Sequence, residues 1–158
     1  MAKTDFKKIK RELNVPWITE SGEFDYSKYP IDHPVRDAFS IVEQTFVNAC
    51  RILGSMAQEN RTDAGIFLIG LIVYYKQDIE RVEILLESLK YFKNTICSDF
   101  LFEEIINSGS IIEDKKYIDL IINVLSQFSQ EMVKNRFVEL SIDKKFNEEL
   151  RNKFLTLY

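Results

Sequence analysis

Proline is missing from the last 124 positions of this 158-residue chain, since all three lie at or before Pro34. Nothing after that point forces a helix to break. Glycine is also scarce. Its five copies form no P-loop and no dinucleotide fingerprint, so no phosphate cradle of either kind is encoded. Histidine occurs once, as His33 in a turn before Pro34, and cysteine twice, as Cys50 and Cys97. One imidazole and two distant thiols do not supply a His/Cys metal set, and a Ser-His-Asp triad lacks its nucleophile-elbow glycines. The Glu-x-x-His pairs of four-helix di-iron proteins are absent too. These gaps predict no catalysis, no His/Cys metal site and no cofactor; an enzyme with a carboxylate-bound divalent metal is the third reading they leave open.

A basic half is equally lacking. Residues 1–80 carry 10 basic against 12 acidic side chains and residues 81–158 carry 11 against 13, giving a net charge of −4. An evenly acidic chain offers no broad footprint for nucleic acid. The one positive cluster is Lys3, Lys7, Lys8, Lys10 and Arg11, read as a solvated face of a short helix over residues 4–13. Met1–Asn14 has no apolar centre, and both cysteines fall in apolar helical patterns, so a cytoplasmic location without membrane contact is expected.

What the chain does have is apolar periodicity. Ala64–Tyr75 reads AGIFLIGLIVYY, twelve uncharged residues with Asp63 placed to cap them. A bilayer needs about 20, so the run predicts a core helix buried on every face. Gly65 and Gly70 within it suggest close approach of a neighbouring backbone. Asp78 then opens a helix with Ile79, Val82, Leu85, Leu86, Leu89 and Phe92 on one side and Glu80, Glu83 and Glu87 on the other. The pair is an αα-hairpin, one inner helix and one outer.

Around it, Val15–Pro34 mixes turn formers with Trp17, Phe24, Tyr26 and Tyr29, a strap or lid lying on the body. Asp32 or His33 is positioned to cap a long amphipathic helix over Val35–Asn60. Later helices are expected from Ser98-Asp99 to Asn107, from Asp114, over Met132–Leu140 and from Asp143. Glu103-Glu104 and Glu113-Asp114 pair carboxylates only in sequence, because adjacent helical residues diverge by about 100°.

Sliding the chain by 36 residues lays Thr62-Asp63 on Ser98-Asp99, Asp78 on Asp114, Leu89 on Leu125 and Phe92 on Phe128, with five identities in 31. A weaker third copy of the outer helix starts at Asp143, with Asn147 at an apolar position. Hairpins repeating in this way resemble HEAT-like α-solenoids. The resemblance implies an all-α, short right-handed array of stacked hairpins over about residues 62–157, preceded by a capping helix within 35–60 and the N-terminal strap of residues 1–34. A closed helical bundle is the alternative. In such an array the second helices line a concave face. Glu83, Asp119 and Glu148 would then form one rung and Glu87, Asn123 and Asn152 the next, an acidic-to-neutral strip suited to a protein with a basic surface. The expected function is a non-catalytic protein-interaction module, whether adaptor, regulator or immunity-type inhibitor. A nucleic-acid-binding or base-processing protein on a similar scaffold is the alternative.

Overall fold

The computed structural model describes residues 4–108 and 115–158. Among them the chain is all-helical, and its only extended pairing is an antiparallel bridge between Ile18 and Phe24 in the strap.

The first helix, α1 (Phe6–Leu13), has Asp5 as N-cap, its side chain accepting from the Lys8 amide. It ends at Asn14, which takes the left-handed conformation at φ 47°. No residue of α1 is buried. After the strap come α2 (Asp32–Asp37) and α3 (Glu43–Gln58). The expected single helix over Val35–Asn60 is therefore two. Its break has a clear cause: the Ala38 and Ser40 carbonyls, which helix continuation would pair with later amides, accept instead from the Tyr75 hydroxyl at 3.1 Å and Arg81 Nη2 at 2.9 Å. Ser40 Oγ also accepts from the Val42 amide. Phe39 and Val42, expected on the core face, are exposed in this turn. The α2 N-cap is Ile31, not Asp32 or His33.

Helices α4 (Thr62–Tyr74) and α5 (Ile79–Leu89) form the predicted hairpin. Asp78 caps α5 by accepting from the Arg81 amide at 3.2 Å. Asp63, by contrast, lies inside α4. Arg61 is the cap residue, and the Asp63 carboxylate is held by its guanidinium. Nor is α4 buried all round. Leu68, Leu71 and Ile72 face the core, whereas Ile66, Val73 and Tyr74 face water because α3, α5 and α6 cover only one side.

Helix α6 (Thr95–Ser108) begins three residues before the expected Ser98, since Asn94 Oδ1 caps it by accepting from the Cys97 amide at 3.0 Å. It is described as far as Ser108; Gly109 and the carboxylates Glu113 and Asp114, the latter expected to cap α7 (Lys115–Leu125), lie outside the described residues. The last residue of α7, Leu125, lies 36 positions after the last residue of α5, Leu89. Then follow α8 (Gln130–Ile142) and α9 (Glu148–Leu155). Asp143 ends α8 rather than opening α9, and Asn147 is the α9 cap, accepting from the Leu150 amide at 2.8 Å. That role accounts for a polar residue at the position aligned with the apolar Val82 and Ile118.

Helix α3 packs on both α4 and α5; α4 lies against α6 and α6 against α8, while α5 lies against α7. The hairpin partners α4/α5, α6/α7 and α8/α9 also touch. One hydrophobic core runs through this set, from Phe46 and Leu53 through Leu86 and Ile105 to Phe137 and Phe154. The strap is fixed to the body at the α3–α4 turn: Arg61 Nη1 donates to the Tyr29 carbonyl at 3.0 Å and the Ser27 carbonyl at 3.3 Å. Ile18 is buried, and Trp17, Phe24 and Tyr29 form an edge-to-face cluster with Phe6, with Tyr26 tilted against Phe24 and Tyr29.

Candidate partner-binding groove

Close approach of two helix backbones occurs at Gly54, on α3, rather than at either glycine of α4. A Cβ on Gly54 would lie 3.0 Å from the Ser88 carbonyl oxygen and 3.2 Å from Ser88 Cβ. Gly65 accommodates the Phe92 ring, a side chain, and Gly70 faces open space. The α3–α5 crossing at Gly54 and Ser88 forms the floor of a groove of about 850 Å³. Val47 and Ile84 supply its apolar walls, and Tyr91 stands at one end.

Four carboxylates rim this groove: Glu43 from α3 and Glu80, Glu83 and Glu87 from α5, against one lining cation, Arg51. Spacing of three and four residues puts the α5 glutamates along one edge. Two of them are partly offset, Glu87 by Lys90 at 2.6 Å and Glu83 by Lys116 at 3.4 Å. Among the described residues Glu43 and Glu80 carry no ion pair. The groove is therefore net acidic at neutral pH.

The predicted strip is only partly brought together. Glu83 and Glu87 line the α3–α5 groove. Asp119 and Asn123 lie on α7 in a separate shallow depression shared with Lys115, Lys116 and Leu120. Asp119 is bound by Lys153 of α9 at 2.7 Å, so its charge is neutralised internally. Glu148, in the first turn of α9, is exposed and belongs to neither depression. Sequence reasoning missed Glu43 and the floor at Gly54 and Ser88. A repeat offset relates α5 to α7 but carries no information on how α3, outside the repeat, crosses them.

Other polar clusters are structural. Glu104 accepts from Tyr117 at 2.6 Å and pairs with Lys76 at 2.8 Å, while its neighbour Glu103 turns to Arg136 at 3.4 Å. Arg81 stacks over the rings of Phe46 and Tyr75, 4.5 and 4.7 Å from their centroids, beside its bond to the Ser40 carbonyl. Burial pushes the thiols of Cys50 and Cys97 up to about 12, so both are protonated, inert side chains of the core. The Arg61 hydrogen bond lowers the Asp63 carboxyl below its usual range. Among the described residues no three His, Cys, Asp or Glu side chains are placed to hold a metal ion. No described helix is long and apolar enough to cross a membrane.

No protein-family model, curated protein or solved structure matches this chain.

Proposed function

We propose that this chain is a non-catalytic interaction module that binds another protein through a basic surface, acting as an adaptor, regulator or immunity-type inhibitor in the cytoplasm. The observation that carries the reading is the α3–α5 groove, whose four rim glutamates face a single lining arginine. Apolar walls with a like-charged rim attract a partner of opposite sign at long range and reward close fit at short range. The reading moves the centre of binding from the α5–α7–α9 strip to Glu43, Glu80, Glu83 and Glu87. Asp119, Asn123 and Glu148 become flanking positions.

The same proposal takes the helices as a short, HEAT-like right-handed solenoid. Its support is the ladder of neighbours, α4 to α6 to α8 and α5 to α7, with each hairpin touching the next. The ends of α5 and α7, Leu89 and Leu125, fall 36 residues apart in agreement with it.

The test is capture of a binding protein from native extract by the wild type and by Glu80→Lys/Glu83→Lys. A stoichiometric partner retained by the wild type and lost by the double variant, at unchanged melting temperature, is the expected result. Equal capture by both places the contact elsewhere.

A further inference from the structure

An acidic groove between two helices accepts a third helix more readily than an extended strand, because helical walls have no free backbone edge to extend a sheet. The occupant it fits presents small or aliphatic residues to Gly54, Val47 and Ile84 and basic residues to the glutamates. The chain carries one such segment. Helix α1 sets Ile9 and Leu13 on one side and Lys7, Lys8, Lys10 and Arg11 around them. It is held outside the core, with Leu13 73% exposed, and its tertiary anchors are the ring contact of Phe6 with Phe24 and the packing of Lys7 against Gly22, both to the strap. Lengths match as well. At about 1.5 Å per residue, α1 spans roughly 12 Å and the Glu80–Glu87 edge roughly 10 Å.

We infer that the α3–α5 groove of one copy of this chain receives the basic α1 of a second copy. The inference rests on the groove being a receptor for basic surfaces, and it names one occupant. The contact is head-to-tail, because the donor helix and the acceptor groove are different surfaces. It leaves each chain with one free groove or one free helix until a ring closes. Salt bridges from Lys7, Lys8 and Arg11 to Glu80, Glu83 and Glu87 carry the attraction, so association weakens as ionic strength rises.

The experiment is sedimentation velocity of the full chain and of two charge-reversed forms, Lys7→Glu/Lys8→Glu/Arg11→Glu and Glu80→Lys/Glu83→Lys/Glu87→Lys. The wild type should associate with rising concentration, and each variant alone at least tenfold more weakly. An equimolar mixture should associate again, because the first variant keeps the acidic groove and the second keeps the basic helix. Glu80→Gln/Glu83→Gln/Glu87→Gln, which introduces no repulsion with Lys90 or Lys116, should weaken association in the same direction. A wild type that stays monomeric, or association that survives both reversals and is lost instead on Val73→Asp/Tyr74→Asp of α4, overturns the inference. Partner capture by the α1 variant separates the two readings. If the partner still binds while wild-type self-association is absent, the α1 occupant fails and the basic-partner function stands. If the groove variant also captures the partner undiminished, both fail.

Discussion

A single hydrogen in place of a methyl group decides the α3–α5 crossing. At Gly54 an added Cβ meets backbone and Cβ atoms of Ser88 that have little freedom to yield, so Gly54→Ala should lower stability by about 1–3 kcal/mol despite its better helix propensity. Gly70→Ala, on the same chemistry with nothing near the new methyl, should raise stability by up to about 1 kcal/mol. Urea unfolding of the two variants reads the contrast; equal effects would show that α3 and α5 do not meet at this residue. The cysteines give a pH prediction. Burial raises each folded thiol to about 12 from its ordinary value of 9.0, so the folded state holds its proton where the unfolded state has lost it. Their effect on stability is flat below about pH 9 and falls between pH 9 and 12, by at most about 1.4 kcal/mol per pH unit for each thiol. Replacing both by alanine should flatten that part of the curve. At pH 8 a thiol reagent should react only as fast as the protein opens.

Elements begin and end here where side chains intercept carbonyls and amides, which explains what could and could not be read from the letters. Asp78 and the apolar set of α5 have local partners, so cap and face were both legible; Leu86 is buried, and Leu86→Ala should cost about 2–5 kcal/mol by thermal unfolding. The break between α2 and α3 was not legible, because Tyr75 and Arg81 reach it from 37 and 41 positions away. Arg81→Ala removes both the bond to Ser40 and the stacking on Phe46 and Tyr75. Amides of residues 38–42 should then exchange much faster, with global stability reduced by about 2–3 kcal/mol. Unchanged exchange in that turn would remove Arg81 as its clamp. The start of α9 was misread for the converse reason. Both Asp143 and Asn147 are competent caps, and burial of Phe146 against Phe154 selects the second.

For the whole molecule, the 36-residue offset read from the letters pairs α5 with α7, which do touch, but it says nothing of a site formed by α3. Only Glu83 and Glu87 of the predicted strip survive in the groove, and the charges of α7 and α9 are spent largely on each other through Lys153–Asp119 and Lys115–Glu149. The strap adds a final consequence. Its attachment relies on Arg61, and it contains the only tryptophan, Trp17, tilted against Phe24 and edge-to-face with Tyr29. Indole fluorescence therefore reports on the periphery and circular dichroism on the helices. In the wild type the two denaturation curves are expected to coincide; in Arg61→Ala the optical signal should change first, separating local release from collapse of the helical body.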